Sequence, residues 1–233
     1  MDASPPPARP DAARQVTRVA FQAHDQSRVN VFVDGRFAFA ISAVEAVHRG
    51  LKPGRLLTAA DLAELRQVEE LERARNAAVA LLAVRPRSRR ELADRLARKG
   101  LPGAVIERVV DELAARGYLD DAAFARYWVE NRQANRPRGR QALAAELRAK
   151  GVDAATIDEA VAPTAEDEAA TALALARRRA RTLDEPDPRR FRQRLGAFLQ
   201  RKGYRYDTVR SVVKIVESER GGAAGDDDWA EPS

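Results

Sequence analysis

Three clusters of arginine are the residues in this sequence best suited to binding chemistry. Arg85-Pro-Arg-Ser-Arg89 and Arg136-Pro-Arg-Gly-Arg140 lie 51 residues apart, and Pro188-Arg-Arg-Phe-Arg192 stands at the matching place in a third segment. Guanidinium groups bind carboxylates and phosphates through paired hydrogen bonds. Each cluster should precede a helix, where cations face the positive end of the helix dipole and cost stability. Such a pattern favours a binding function.

The candidate contact residues are therefore arginines, and the partner they would bind is acidic. We predict contacts with a partner protein or with nucleic acid through Arg85, Arg87, Arg89, Arg90, Arg136, Arg138, Arg140, Arg189, Arg190 and Arg192. The alternative is that arginine is only the default basic residue of a GC-rich genome. In the third cluster Pro188 replaces the first arginine and Phe191 is added, so this copy should contribute least.

Composition points to the same class of partner. The chain of 233 residues has a formal net charge of +6 and a sequence pI of about 10.0, which favours nucleic acid or an acidic protein groove. Hydrophobic residues make up 45%, enough for a buried core. There is no cysteine, so disulfides and thiolate metal sites are excluded.

No pattern in the sequence indicates catalysis. His24 and His48 have no cysteine or spaced carboxylate cluster near them, so surface or packing roles are expected for both. Neither GxxxxGK[ST] nor GxGxxG follows a strand pattern. We predict no enzyme activity, no cofactor and no metal site. No apolar run approaches the roughly 18 residues of a membrane span, and no signal peptide is evident, so the expected location is the cytoplasm.

The clusters belong to a segment that occurs three times. Lys99-Gly100, Lys150-Gly151 and Lys202-Gly203 are spaced by 51 and 52 residues. Apolar residues recur one, six and ten positions after each glycine, namely Leu101, Ile106, Val110, Val152, Ile157, Val161, Tyr204, Val209 and Val213. Leucines at helical spacing precede each Lys-Gly pair, namely Leu92, Leu96, Leu143, Leu147, Leu195 and Leu199. Matched positions in one register indicate a tandem repeat.

Each repeat is predicted to contain three helices, with the arginine cluster before the second and the glycine ending it. Thr58 with Asp61, and Ser88 with Glu91, have the spacing of capping boxes. Further helix starts are expected at Asp120, Asp153 and Thr164, and Pro163 should end the helix that Asp153 begins. The predicted fold is mainly α, a curved, elongated array of three three-helix repeats. An open array with polar ends favours a monomer.

A small β-rich module should precede the array. Valine alternation over 29–33, Asp34-Gly35 and the apolar run 37–41 predict a hairpin. The predicted domains are a disordered arm (1–14), the β module (15–57), a lead-in helix with repeat 1 (58–121), repeat 2 (122–163), repeat 3 (164–219) and a disordered acidic tail (220–233). Residues 58–84 could form one helix or two.

These motifs resemble the RecX family of recombination regulators. The resemblance rests on Arg87-Ser-Arg-Arg-Glu-Leu92, Gly117-Tyr-Leu-Asp-Asp121, Lys150-Gly-Val152 and Arg201-Lys-Gly-Tyr204, and it covers about residues 75–218. Residues 16–57 look like the N-terminal extension of longer members. The Pro- and Asp-rich ends and Leu101-Pro-Gly103 depart from the pattern.

The resemblance implies a protein without catalytic residues that binds the RecA recombinase filament on DNA. RecX proteins are thought to lodge in the filament groove and to modulate RecA, usually by inhibition, lowering ATP hydrolysis, strand exchange and coprotease activity. RecA and the phosphates of single- and double-stranded DNA would be the partners. Two alternatives stay open from the residues alone, namely a general nucleic-acid-binding protein not dedicated to RecA and a protein scaffold without DNA affinity.

Overall fold

The computed structural model describes residues 13–162 and 164–220, without the side chains of 164–166. These residues form four strands and ten helices. The strands are β1 (Arg14–Gln22), β2 (Asp25–Val33), β3 (Arg36–Ser42) and β4 (Leu56–Leu57). The helices are α1 (Ala43–His48), α2 (Ala59–Val84), α3 (Arg89–Ala97), α4 (Gly103–Ala115), α5 (Asp121–Asn135), α6 (Arg140–Ala149), α7 (Ala154–Val161), α8 (Thr164–Ala180), α9 (Pro188–Arg201) and α10 (Tyr206–Glu219).

The contacts divide the chain into two compact units. The first comprises the described parts of Met1–Arg85 and Ala93–Leu113, and the second comprises those of Pro86–Leu92 and Ala114–Ser233. The predicted arm and tail lie almost wholly outside the described residues. Arg14, which was predicted to belong to the arm, is instead the first residue of β1.

The N-terminal module is an antiparallel sheet in the order β3-β2-β1-β4. The predicted hairpin is confirmed, because Asp34 and Gly35 join β2 to β3 with φ of 51° and 78°. Two consecutive residues with positive φ match the twist of a two-residue hairpin, and Asp and Gly adopt them at least cost. Strand β4 was not predicted, since two residues are too few to show alternation.

One face of this sheet packs against α1 and α2. The valines at 29, 31 and 33 point into the core, which Leu62 and Leu65 of α2 close. Glu72 fastens α2 to the sheet edge by accepting the backbone N–H of Ser42 at 2.9 Å. Residues 59–84 form a single helix, which settles the question that the sequence left open.

Helix α2 begins with the predicted capping box. The Thr58 hydroxyl accepts the backbone N–H of Asp61 at 3.1 Å, and the Asp61 carboxylate accepts that of Thr58 at 2.8 Å. The Asp61 carboxylate accepts hydrogen bonds from the Thr58 backbone N–H and from the Thr58 hydroxyl, and these two bonds, the backbone one more strongly, hold the pKa of Asp61 below its usual range. The pair therefore satisfies two of the N–H groups that every helix start leaves without partners.

Three three-helix repeats follow, formed by α2–α4, α5–α7 and α8–α10. All six predicted leucines of the second helices are fully buried. The nine apolar residues after the Lys-Gly pairs are also buried, as the register predicted. Gly100, Gly151 and Gly203 have φ of 75°, 79° and 85°, which is the left-handed conformation that ends a helix.

Helix α5 begins as the sequence predicts. Asp120 accepts the backbone N–H groups of Ala122 and Ala123 at 2.8 and 3.0 Å. Leu119 and Phe124 on either side of this cap are buried at 5% and 1% exposure. Their placement matches the hydrophobic staple, which fixes the angle at which the chain enters the helix.

Asp153 likewise caps α7 by accepting the backbone N–H of Thr156 at 3.0 Å. Pro163, which was predicted to end this helix, lies outside the described residues. Over 13–162 and 164–220, no helix combines the length and apolarity needed to cross a bilayer.

Tyr204 lies in the core of the third repeat with a hydroxyl that has no hydrogen-bond partner among the described residues. Burial, with a smaller effect of the Glu168 carboxylate, raises its pKa from 10.0 to about 12. The folded chain therefore holds this proton more tightly than the unfolded chain does. Its contribution to stability is complete below pH 10 and is lost as the pH rises towards 12.

We expect Tyr204→Phe to be at least as stable as the wild type at neutral pH, because it removes an unpaired buried hydroxyl. Between pH 10 and 12 its free energy of unfolding should fall less steeply than that of the wild type, by up to about 1.4 kcal/mol per pH unit. Urea titrations across this range measure the difference. Tyr118→Phe, at a side chain that is 67% exposed, is the control and should keep the wild-type slope. Equal slopes for both variants would contradict the assignment.

Candidate partner interface

Part of the first arginine cluster is buried and takes part in contacts within the fold. Arg87 is 8% exposed, and its guanidinium donates to the Glu91 carboxylate at 2.7 Å. The other oxygen of Glu91 accepts Nζ of Lys150 at 3.2 Å. The Ser88 hydroxyl donates to the backbone carbonyl of Lys150 at 2.6 Å. These bonds tie the segment before α3 to the Lys-Gly turn after α6.

Ser88 caps α3, but the reciprocal half of the predicted capping box is not formed. The Ser88 hydroxyl accepts the backbone N–H of Glu91 at 3.1 Å, as expected. The Glu91 side chain turns away to Arg87 and Lys150, because two cations bind a carboxylate more strongly than a backbone N–H does.

The second cluster makes an equivalent contact with the next Lys-Gly turn. The backbone N–H of Gly139 donates to the carbonyl of Lys202 at 2.9 Å. A Cβ on Gly139 would lie 2.1 Å from the Gly203 carbonyl oxygen, and one on Gly203 would lie 2.3 Å from Cβ of Ala142. The two segments therefore approach more closely than any side chain permits. In the first contact, a Cβ on Gly151 would likewise lie 2.5 Å from the Arg90 side chain.

Acidic side chains complete both contacts at the helix starts. The backbone N–H of Arg89 donates to the Asp121 carboxylate at 2.9 Å, and that of Arg140 donates to Glu168 at 3.0 Å. A carboxylate at a helix N-terminus satisfies a free N–H and is attracted by the helix dipole. Asp121 and Glu168 therefore offset part of the free-energy cost of placing arginines at the starts of α3 and α6.

Arg138 belongs to a second structural cluster. Its Nε lies 3.7 Å from the Glu146 carboxylate, which also accepts Nε of Arg132 at 2.7 Å and the Trp128 indole N–H at 2.8 Å. The Arg132 guanidinium and the Lys150 ammonium lie 4.4 and 4.2 Å from the centre of the Trp128 ring. Trp128 thus packs, partly buried, against the core of the second repeat.

The third cluster differs from the prediction in its position. Residues 188–192 do not precede the second helix but form the first residues of α9. The Asp187 carboxylate caps this helix by accepting the backbone N–H of Arg189 at 2.8 Å, with Pro188 in the first turn. Phe191 is 1% exposed in the repeat core, and Arg192 donates to the buried Glu217 at 2.8 Å.

The ten predicted arginines therefore divide by exposure. Arg87 is buried, and Arg85, Arg138, Arg140 and Arg192 are half-buried. Arg89, Arg90, Arg136, Arg189 and Arg190 are exposed. The exposed residues can reach a partner without unfolding of the repeats, and their contact role stays a prediction.

Four residues that were not predicted as contacts lie beside Arg136. Arg178, Arg179, Phe198 and Lys202 line a groove with it in the second unit. The arginine run at 177–179 is visible in the sequence, and Lys202 belongs to the third Lys-Gly pair. Nothing local signals that these residues meet, because they lie on α8, on α9 and just after α9.

The two histidines show no catalytic arrangement. Both are exposed, and Nδ1 of His48 lies 3.9 Å from the Glu45 carboxylate. Within the described ranges, no group of three or more His, Cys, Asp or Glu side chains is placed to hold a metal ion.

Comparison with protein families matches four models to consecutive parts of the chain. Residues 14–58 match the N-terminal domain of regulatory protein RecX. Residues 74–113, 120–161 and 166–213 match the first, second and third three-helix domains of RecX. Together they span both the β module and the three repeats.

Individual relatives extend this similarity along most of the chain. The regulatory protein RecX of Bacillus subtilis (strain 168) is 31% identical over 205 residues, covering 88% of this chain and 78% of that protein. Regulatory protein RecX of Mycobacterium leprae is 45% identical over 145 residues, covering 61% of this chain and 84% of that protein.

Solved structures show the same fold. A crystal structure of regulatory protein RecX superposes with a TM-score of 0.65 at 23% identity, covering 85% of this chain and 98% of that one. A crystal structure of RecX from Lactobacillus salivarius gives a TM-score of 0.57 at 19% identity, covering 64% and 97%.

Proposed function

The chain belongs to the RecX family, and from that premise we propose that it is a non-enzymatic regulator of the RecA recombinase. It binds the RecA filament on DNA and lowers ATP hydrolysis, strand exchange and coprotease activity. It thereby regulates DNA repair and recombination. We propose that it does so as a monomer in the bacterial cytoplasm.

The observation on which this proposal rests is that the first and third clusters each contain an arginine that is paired within the fold and arginines that are exposed. In the first, Arg87 is buried against Glu91, whereas Arg89 and Arg90 are exposed. In the third, Arg192 is paired with the buried Glu217, whereas Arg189 and Arg190 are exposed. The buried pairs stabilise the repeats, whereas the exposed arginines at the same helix starts lie where they can reach a partner.

The exposed guanidinium groups suit a protein–DNA filament. A RecA filament offers carboxylates on the protein and phosphates on the DNA, and guanidinium binds both through paired hydrogen bonds. A protein that binds one state of the filament more tightly than another shifts its equilibrium by the difference in binding free energy. Regulation then needs no catalytic group.

Co-sedimentation with RecA filaments assembled on single-stranded DNA tests the binding step. The paired variant Arg90→Glu with Arg190→Glu should bind the filaments at least tenfold more weakly than the wild type, because it reverses two exposed cluster charges. Arg126→Glu with Arg210→Glu is the matched control, since both residues are exposed, lie outside the clusters and change the net charge equally. The control should lose less than threefold.

The outcomes separate the alternatives. If the wild type binds bare DNA as tightly as filaments, with affinity falling steeply as salt rises, the protein is a general nucleic-acid binder. If it binds neither, the proposed function is wrong. Equal losses in the two paired variants would show that net charge, rather than the clusters, governs binding.

A further inference from the structure

A basic groove in the second unit contains Arg136 together with three cations that lie outside the predicted clusters. It encloses about 310 Å³ between the segment after α5, helix α8 and the end of α9. Arg136, Arg178, Arg179 and Lys202 contribute four cations to its lining, and none of its described lining residues is acidic. Such a concentration of like charge is repulsive unless an anion neutralises it.

The cations of the groove are poorly compensated within the part of the chain that the structure describes. Arg136 and Arg178 are exposed and take part in no ion pair there. The Arg179 guanidinium reaches only the hydroxyl of Thr182, at 3.5 Å. Their positive charge is available to a ligand.

The contact between the second cluster and the Lys-Gly turn builds this groove. The bond from the Gly139 N–H to the Lys202 carbonyl places the segment that contains Arg136 beside the end of α9. Arg136 and Lys202 are therefore neighbours because of backbone geometry that the repeat requires.

The floor of the groove is apolar and aromatic. Phe198, Leu175 and Pro137 line it, and Phe198 is only partly buried in the core of the third repeat. The Arg179 guanidinium and the Lys202 ammonium lie 5.7 and 5.6 Å from the centre of the Phe198 ring. An aromatic floor with a cationic rim is the composition of sites that stack a base and hold its phosphate.

We propose that this groove binds single-stranded nucleic acid, with a phosphate at the cationic rim and the adjoining base on the apolar floor. A duplex would present only its phosphates, because its bases are stacked inside the helix. An acidic peptide would use the rim but has no general need for the floor. The inference deepens the DNA part of the proposed function by assigning its site, and its test contains no RecA.

Fluorescence anisotropy of a labelled thymidine oligonucleotide with the full chain tests the rim. Arg136→Glu with Arg178→Glu should weaken binding at least tenfold and should reduce the slope of log affinity against log salt by about 1.4, about 0.7 for each lost phosphate contact on a single strand. The control pair Arg126→Glu with Arg210→Glu has the same net charge and should lose less than threefold. Equal losses in the two pairs would overturn the site.

Phe198→Leu tests the floor, because leucine keeps apolar volume in the core and removes the ring. Affinity for the oligonucleotide should fall about fivefold or more, while the salt slope stays at the wild-type value. Circular dichroism and the melting temperature verify that the variant is folded. An unchanged affinity in a folded variant would overturn base stacking.

Two competitors separate the classes of ligand. A duplex of equal length should compete more weakly than the single strand, and Phe198→Leu should leave its affinity unchanged. A polyglutamate peptide should not displace the oligonucleotide at equal charge concentration. Displacement that requires Arg136 and Arg178 would assign the groove to acidic chains and overturn the proposal. If these tests contradict the nucleic-acid site, the proposed binding to RecA filaments still stands, since the tests contain no RecA.

Discussion

Gly203→Ala is expected to lower the free energy of unfolding by about 3 kcal/mol, whereas Gly100→Ala should cost only about 1 kcal/mol. Both glycines end the second helix of a repeat with positive φ, at 85° and 75°, so an alanine is strained at either place. They differ in what surrounds them. A Cβ on Gly203 would lie 2.3 Å from Cβ of Ala142, but one on Gly100 meets nothing within 4 Å.

Urea denaturation followed by circular dichroism measures both costs. The difference between the two losses in the free energy of unfolding measures the effect of the close approach between the start of α6 and the Lys-Gly turn, because backbone strain is common to both variants. Equal losses would mean that this contact adjusts freely and does not hold the repeats together.

Glu91→Ala is expected to destabilise the fold by about 3 kcal/mol, because it removes the nearly buried Glu91 carboxylate, which pairs with the buried Arg87. Glu91 is 11% exposed and pairs with Arg87 at 2.7 Å and Lys150 at 3.2 Å. The exposed pair of Arg177 with Glu219 is the natural comparison, since its side chains are 49% and 40% exposed. Glu219→Ala should change stability little, as expected of a solvated ion pair.

Chemical denaturation of the two glutamate variants, at equal salt and pH, provides the test. A loss for Glu91→Ala no larger than that for Glu219→Ala would show that the buried pair is not what holds the first contact. Added salt should reduce the effect of Glu219→Ala and leave that of Glu91→Ala nearly unchanged, because burial shields the latter from screening.

The repeat core could be predicted from the sequence because its signals are local and occur in three copies. Leucines at helical spacing and a glycine at each helix end are sufficient to place Leu143, Leu195 and Gly151. The contacts between consecutive segments could not be predicted in this way. Gly100, Gly151 and Gly203 look alike in sequence, but only the last two are crowded by a neighbouring segment.

The contacts of the arginine clusters likewise could be predicted only where the partner lies nearby in the sequence. Glu91 stands four residues after Arg87, a helical pairing distance that could have identified the buried pair. Arg192 pairs with Glu217, which lies 25 residues away and gives no local signal. Asp187-Pro188 is a helix-start pattern that could have placed the third cluster inside α9. Exposure, rather than residue type, separates the candidate contacts from the structural arginines.

The groove could not be predicted from the sequence, because residues far apart in the chain form it. Arg136 and Lys202 are brought together by a backbone hydrogen bond between Gly139 and Lys202, which lie 63 residues apart in the sequence. Phe198 is one apolar residue of a helical segment and has no feature in the sequence that marks it as part of a site. Its position at the base of a cationic rim depends on how α8 and α9 pack.

The rate of ATP hydrolysis by RecA on single-stranded DNA tests the central claim most directly. The measurement compares RecA alone with RecA mixed with a stoichiometric amount of this chain, while filament length is followed by electron microscopy. The account predicts a lower rate and shorter filaments. An unchanged rate together with unchanged filament length would contradict it.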